Sequence, residues 1–174
     1  MILLSDHAIK QCEGGQSLVG GLDAYVCRNY FGSQVQSSEF ELTGTFLNSK
    51  EHFGERGDSG KFTAVFIRAP AILVAGPSVD ILATIHAAPH QSVKAEVQAT
   101  LATHSSTRSK GTKRKTPDKN PESSSSICSD KIEVIVAARQ GNILATAFHP
   151  ELTADVRWHI YFCGMVMASL EHTV

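Results

Sequence analysis

Two apolar runs separated by a short turn constrain the fold of this chain more than any other sequence feature. Residues 132–139 and 143–148 are rich in aliphatic side chains, and Gln-Gly-Asn at 140–142 lies between them. Gly and Asn at the tip of two such runs are typical of a β-hairpin. The chain is therefore expected to bury an antiparallel pair of strands, and the second strand ends directly before His149.

The segment after this hairpin carries a candidate acid–base pair. His149 can act as a general base near neutral pH. Glu151 is close enough to bond the far ring nitrogen and to stabilise the charged ring, and Pro150 biases His149 toward an extended backbone. These two residues are the base and the orienting acid of a triad whose third member would be a nucleophile. The plainer interpretation is a surface histidine beside a glutamate at a helix start.

Length, charge and cysteine usage bound the class of protein. With 174 residues, of which 42% are hydrophobic, the chain has enough core for one domain. Its net charge of −1 indicates no nucleic-acid partner. The four cysteines are irregularly spaced, and no Cys-x-x-Cys occurs, so we expect no metal site. A reduced, cytoplasmic protein is the simplest interpretation of this cysteine usage. We also expect no other cofactor. No apolar run reaches the roughly 20 residues of a membrane span, so no membrane partner is expected.

The patterning elsewhere predicts short strands between two helical segments. Residues 1–9 are expected to be the end of an apolar helix, and a C-terminal helix is expected from Thr153, its cap. Trp158 and Tyr161 are expected to pack on the sheet. The apolar positions of the C-terminal helix at helical spacing are Val156, His159, Ile160, Phe162, Cys163, Val166, Met167 and Leu170. The predicted strands, which are expected to pair antiparallel, span 22–29, 35–42, 62–67, 71–74 and 79–85, and 48–61 is predicted as a loop.

Residues 103–130 differ from the rest in composition. Ser, Thr, Lys and Pro dominate there, and such a segment cannot bury enough apolar surface to offset its ordering entropy. We predict a disordered insertion within a single domain. The basic run at 110–115 is either a nuclear-import or polyanion-binding patch or, more plainly, a solvated loop.

Four blocks of the sequence resemble one protein family. They occur in the family's order, and the likeness covers nearly the whole chain outside 48–61 and 86–130. The family is the glutaminase subunit of pyridoxal 5′-phosphate (vitamin B6) synthase, a triad-type, class I glutamine amidotransferase. The blocks are 20–23 (Gly-Gly-Leu-Asp), 27–34 (Cys-Arg-Asn-Tyr-Phe-Gly-Ser-Gln), 66–71 (Phe-Ile-Arg-Ala-Pro-Ala) and 139–153, which runs from Arg-Gln-Gly-Asn through Phe-His-Pro-Glu-Leu-Thr. The basic, serine-rich insertion indicates a eukaryotic version.

The resemblance implies a fold and an activity. The fold would be the α/β sandwich of class I glutamine amidotransferases, which is flavodoxin-like. It would have a mixed sheet with helices on both faces. Residues 1–174 would form one partial domain of this fold. The activity would be hydrolysis of L-glutamine to glutamate and ammonia, and the ammonia would pass to a barrel-shaped synthase subunit.

The resemblance also implies roles for five residues. His149 and Glu151 match the catalytic histidine and glutamate of the family. Arg28, Ile67 and Arg68 match positions that hold L-glutamine. The two arginines suit this role because a guanidinium binds a carboxylate with a two-pronged fork.

The chain departs from the family at the nucleophile. The family cysteine lies in a Gly-x-Cys-x-Gly elbow, and none of the chain's four cysteines does. Residues 1–6 resemble the segment just after that elbow, so the first half of the fold and the loop that binds the oxyanion are expected to be missing. Three interpretations remain: a truncated gene model or transcript of an enzyme, an inactive docking or regulatory module that binds the synthase subunit, or an unrelated structural or binding protein.

Overall fold

The described part of the chain forms two β-sheets packed with two α-helices. The computed structural model describes residues 1–9, 15, 17–32, 38–44, 60–105 and 130–171. Short 3-10 turns lie at Ile2–Leu4, Gln91–Val93 and Pro150–Leu152. The strands are β1 (Ser5–Ile9), β2 (Leu22–Cys27), β3 (Ser38–Thr43), β4 (Lys61–Phe66), β5 (Ala71–Ala75), β6 (Asp80–Ala87), β7 (Ile132–Gln140) and β8 (Ile143–Thr146); the helices are α1 (Lys94–Ser105) and α2 (Arg157–Glu171).

The larger sheet is mixed, as predicted. Its strand order is β1-β2-β5-β7-β6, and β8 pairs with the C-terminal part of β7. Strands β1 and β2 run parallel, whereas the other neighbours are antiparallel. Strands β3 and β4 form a separate antiparallel pair. The predicted hairpin is confirmed: Gln140 pairs with Ile143 across a two-residue turn, in which Gly141 has a φ of +55°.

Strand β7 lies at the centre of the core because both of its faces are covered. Val134 and Val136 belong to one buried cluster, to which α1, α2 and the β3–β4 pair also contribute. Ile135 and Ala138 belong to a second cluster with residues of β2 and β5. This double burial explains why the strand reads as a continuous apolar run rather than an alternating one.

The C-terminal helix begins later than predicted and buries a different face. Helix α2 starts at Arg157, whose main-chain N–H donates to the carboxylate of Asp155, so Asp155 replaces Thr153 as the cap. The expected packing of Trp158 and Tyr161 is confirmed, and Met165 joins them. The positions whose helical spacing predicts this helix are exposed: Val156, His159, Ile160, Phe162, Cys163, Val166, Met167 and Leu170. Because the helix is apolar nearly all round, its periodicity does not select one face.

The predicted helix at residues 1–9 is wrong. Only Ile2–Leu4 forms a 3-10 turn, and Ser5–Ile9 is the edge strand β1 beside β2. Ile2 and Leu4 pack on the second buried cluster. A segment this short gains little from helix formation on its own, whereas the edge of β2 offers it a row of backbone partners.

The remaining strand predictions agree with β2, β4, β5 and β6, and the predicted strand at 35–42 is observed as β3. Of the predicted loop at 48–61, only Gly60 and Lys61 are described, and Lys61 begins β4. Helix α1 was not predicted; it extends through Ser105, so the first three residues of the expected insertion are helical. Residues 106–129, including the basic run, lie outside the described residues.

Among the helices that the structure describes, none combines the length and apolar content that a membrane crossing requires.

Candidate active site

The position of His149 is fixed by its main chain. His149 follows the second strand of the hairpin, and the main-chain N–H of His149 donates to the carbonyl of Val65 on β4 at 2.9 Å. Its φ of −103° and ψ of 91° are extended, as predicted from the following proline. The preceding Phe148 is buried, with its ring centroid 5.0 Å from that of Trp158. The histidine therefore sits at the boundary between the aromatic core and solvent.

The predicted contact between His149 and Glu151 is present. The turn Pro150–Leu152 brings Glu151 Oε1 to 2.8 Å from Nδ1 of His149. This hydrogen bond is the largest cause that holds the pKa of Glu151 below its usual value. A charged glutamate there accepts from an Nδ1–H, and the tautomer that results leaves Nε2 to exchange a proton with a reacting group. Both side chains remain open to solvent, with exposed fractions of 41% for His149 and 58% for Glu151.

The histidine and glutamate line a cleft together with two of the predicted substrate residues. The cleft has a volume of about 460 Å³. Ile67 and Arg68, which follow strand β4, are among the residues that line it. Besides these four residues, the lining includes Met1, Ile2, Pro70, Thr146, Ala147, Phe148 and Pro150. The cleft is thus lined by an arginine and by a histidine–carboxylate pair, and its volume is large enough for an amino acid.

Arg68 adopts a backbone conformation that is uncommon for a residue with a side chain. Its φ is +48°, in the left-handed region. A non-glycine residue there stores about 1–3 kcal/mol of strain, and such residues cluster at binding and catalytic sites. The conformation turns the exposed Arg68 out of the strand at the rim of the cleft.

Arg28 lies on a loop next to the cleft rather than in its described lining. It follows β2, is half-buried, and its main-chain N–H donates to the carbonyl of Ile9 at 3.3 Å. Its loop touches the loop of Arg68, because Phe31 N–H donates to the carbonyl of Ala69 at 3.5 Å. The structure therefore places the two arginines on adjoining loops.

No thiol among the described residues lines this cleft. Cys27 is buried at the end of β2, and Cys163 is exposed on α2. Cys12 and Cys128 lie outside the described ranges. Within those ranges, no three His, Cys, Asp or Glu side chains are grouped so that they could hold a metal ion.

Two residues beside the cleft had no predicted role. Asp155 and Arg157 form a bidentate ion pair directly after the turn that carries Glu151, and Arg157 also donates to the carbonyl of Lys61 on β4. The sequence signal is an Asp-x-Arg at the start of the predicted helix, where an acidic residue also favours the helix dipole.

Comparison with known proteins found similarity to glutamine amidotransferases. The sequence pattern of the SNO glutamine amidotransferase family matches residues 116–168. A probable pyridoxal 5′-phosphate synthase subunit PDX2 of Arabidopsis thaliana is 45% identical over 165 residues, which are 95% of this chain and 54% of that protein. A probable pdx2 subunit of Dictyostelium discoideum is 36% identical over 170 residues, covering 95% of this chain and 52% of that protein. The chain thus spans about half the length of the relatives it matches.

A solved structure agrees with the sequence comparisons. The crystal structure of a glutamine amidotransferase superposes with a TM-score of 0.55 at 29% identity, covering 94% of this chain and 55% of that one. The mixed sheet and its helices are consistent with the class I fold that the resemblance predicted. This chain is therefore similar to the SNO glutamine amidotransferase family over residues 116–168, and over most of its length to about half of each relative.

Proposed function

We propose that this chain carries the histidine–glutamate pair and the substrate-binding arginines of a glutaminase that serves pyridoxal 5′-phosphate synthase. The observation that carries the proposal is the 2.8 Å contact between His149 and Glu151 in a cleft that Arg68 also lines. An imidazole oriented by a carboxylate is the base of a nucleophilic triad, and a guanidinium binds the carboxylate of an amino acid.

In this mechanism Glu151 holds the Nδ1–H of His149, and Nε2 accepts the proton of a cysteine thiol. The thiolate attacks the side-chain amide carbon of glutamine and forms a tetrahedral intermediate. The protonated Nε2 returns its proton to the amide nitrogen, which leaves as ammonia. Water then hydrolyses the thioester to release glutamate, with His149 again as the base.

The nucleophile is the part of this mechanism that the described residues do not supply. The four cysteines lack a Gly-x-Cys-x-Gly context, and neither described cysteine lines the cleft. We therefore propose that the cysteine comes from outside these 174 residues, and that the chain alone does not hydrolyse glutamine.

The roles of Arg28, Ile67 and Arg68 follow from the same proposal. Arg68 would bind the α-carboxylate of L-glutamine at the rim of the cleft, and Ile67 would contact its aliphatic part. Arg28, from the adjoining loop, would reach the substrate from the side of β2. These assignments suit a zwitterionic ligand whose carboxylate needs a forked donor.

The partner and the location are part of the proposal as well. Two relatives are named as subunits of pyridoxal 5′-phosphate synthase, so we propose a synthase subunit as the ammonia acceptor and a cytoplasmic location. A second candidate function is a docking or regulatory module that binds the synthase subunit without catalysis. The absence of a thiol among the described residues of the cleft is the observation that favours it.

Ammonia release from glutamine tests the proposal. The chain would be assayed alone and as a chimera joined to the part of the Arabidopsis relative that it does not span, each with the synthase subunit present. We expect release from the chimera only, and its loss in His149→Ala. The matched control is His86→Ala, an exposed histidine on β6 outside the cleft.

Two results would contradict parts of this proposal. Release from the chain alone that disappears in His149→Ala would place the nucleophile among its four cysteines. A folded chimera that co-purifies with the synthase subunit but releases no ammonia would reject catalysis and leave the docking function.

A further inference from the structure

A second set of contacts, outside the cleft, holds the turn that carries His149 and Glu151. Nε of Arg157 lies 2.9 and 3.1 Å from the two carboxylate oxygens of Asp155, and Nη2 lies 2.7 Å from Oδ2. The main-chain N–H of Arg157 also donates to Oδ1 at 3.0 Å. Both side chains are largely buried, with exposed fractions of 17% for Arg157 and 21% for Asp155. A shielded, forked pair of this kind fixes both residues in one geometry.

Arg157 connects this ion pair to the strand that also holds His149. Its Nη2 donates to the main-chain carbonyl of Lys61, at the start of β4. Further along the same strand, the carbonyl of Val65 accepts the N–H of His149. Residues 149 and 157 bound the segment that contains this turn, so both ends of the segment are hydrogen-bonded to carbonyls of one strand. Those carbonyls are about 13 Å apart, since a strand rises roughly 3.3 Å per residue.

Contacts inside the turn complete the connection. The hydroxyl of Thr153 donates to the carbonyl of Pro150 at 3.1 Å and accepts the N–H of Asp155 at 3.3 Å. A continuous path therefore runs from the turn at Pro150 to the ion pair. The N–H of Leu152 donates to the carbonyl of His149 at 3.2 Å, so the turn is held at His149 by an internal hydrogen bond and on its other side by the ion pair.

We propose that Asp155 and Arg157 are positioning residues: by fixing the second end of the turn to β4, they keep Glu151 at hydrogen-bonding distance from Nδ1 of His149. The catalytic consequence rests on the proposed glutaminase function, whereas the geometric consequence does not. The hydrogen bond from Arg157 is the main cause that holds the pKa of Asp155 below its usual value, so the pair stays charged near neutral pH.

The plainer role of the pair is to stabilise the start of α2. Asp155 caps the helix, and an ion pair of this kind contributes to stability wherever it lies. That role alone predicts a loss of stability with no change in the titration midpoint of Glu151. The positioning role predicts that this midpoint changes. The two roles therefore differ in the titration of one carboxyl group.

Carboxyl-carbon NMR titration of Glu151 in the full chain tests the proposal. Arg157→Lys keeps the charge but loses the fork, and Asp155→Asn keeps the shape but loses the charge. In both variants we expect the titration midpoint of Glu151 to rise toward its ordinary value and the Nδ1–H signal of His149 to shift. The matched control is Glu41→Gln, which removes the exposed 2.6 Å ion pair of Lys61 on the same strand and should leave Glu151 unchanged.

Equal Glu151 midpoints in the unsubstituted chain and in either folded variant would overturn the positioning role. Circular dichroism establishes folding, and if Arg157→Lys does not fold, Asp155→Asn decides the question. In the chimera used for the ammonia assay, the positioning role predicts a kcat about 10- to 100-fold lower in either variant, with an almost unchanged KM. An unsubstituted chimera without ammonia release would reject the proposed function and still leave the NMR test decisive for positioning.

Discussion

The carboxylate of Asp23 occupies the space in which a side chain at Gly76 would begin. An ideal Cβ at Gly76 would lie 1.7 Å from Oδ2 of Asp23, and the N–H of Gly76 donates to the carbonyl of Asp23 at 2.8 Å. The turn after β5 is thereby held against β2, the strand whose end carries Arg28. Contact this close leaves no room for a methyl group.

Gly76→Ala should therefore destabilise the protein by about 1–3 kcal/mol, because either Asp23 or the turn must move. Urea unfolding measures the change, and Asp23→Ala in the same chain should recover part of the loss. Gly141→Ala is the matched control: no atom lies within 4 Å of its Cβ position, so only its φ of +55° opposes the substitution. A Gly76→Ala protein as stable as the unsubstituted one would show that Asp23 turns away freely.

Glu151→Gln should lower the kcat of the glutaminase-competent chimera by about 100- to 10,000-fold. The amide no longer selects the Nδ1–H tautomer of His149 or stabilises the imidazolium that forms during reaction. Ammonia release at saturating glutamine measures the effect, and Glu171→Gln, at the far end of α2, serves as the control. Retention of more than about half of the activity would remove Glu151 from the mechanism.

The two arginines provide a test of the substrate site. Arg28→Lys and Arg68→Lys in the chimera should each reduce kcat/KM for glutamine by about one to three decades, because lysine offers a point charge without a fork. If both residues are instead surface cations, each change should cost at most about 1 kcal/mol, less than one decade. Glutamine titration by calorimetry separates lost binding from lost turnover, and equal affinity in both variants would contradict the assignment.

Asp155 should make the stability of the protein depend on pH in acid. Its folded-state pKa lies below the ordinary value of 3.8, so the unfolded chain binds more protons in the window between them. The stabilisation is complete above that ordinary value and is lost as the pH falls through the folded-state pKa. Asp155→Asn should therefore destabilise by about 1–2 kcal/mol at pH 7 and by less at pH 3. Urea unfolding at both pH values checks this, and an equal loss at both would contradict it.

Deletion of residues 108–126 should leave the fold intact. The segment has almost no apolar side chains to bury, so its removal takes nothing from the core. We expect the melting temperature of the chimera to change by less than about 2 °C, which corresponds to less than about 1 kcal/mol. A loss of several degrees would mean that the segment packs on the domain.

The hairpin and the histidine–glutamate contact could be predicted because they depend on residues close in sequence. Gly141 and Asn142 specify a two-residue turn, and Pro150 between His149 and Glu151 restricts the backbone of the pair. The cleft could not be predicted from residues close in sequence. It requires Arg68, from β4, to meet a turn far along the chain, and only the family resemblance joined the two.

The mistaken elements share a physical cause. On α2 nearly every position is apolar, so the choice of Trp158, Tyr161 and Met165 as the buried face was made by the shape of the sheet. In α1 few residues are buried: Val97 is buried, as is Val93 in the turn before the helix. The other residues of α1 are mostly polar and show no helical periodicity. Tertiary packing determines both the buried face of α2 and the formation of α1, and a local sequence pattern carries no information on such packing.

The two hydrogen bonds that hold the segment 149–157 to β4 also affect how the chain folds. The contact between Arg157 and Lys61 joins positions 96 residues apart, so it closes a long loop that contains residues 106–129. The entropy of closing a flexible loop grows only with the logarithm of its length, and doubling that length costs about 0.6 kcal/mol. Relatives with shorter or longer segments at that point should therefore complete the same turn at nearly the same free energy, whereas they should form it more slowly as the segment lengthens.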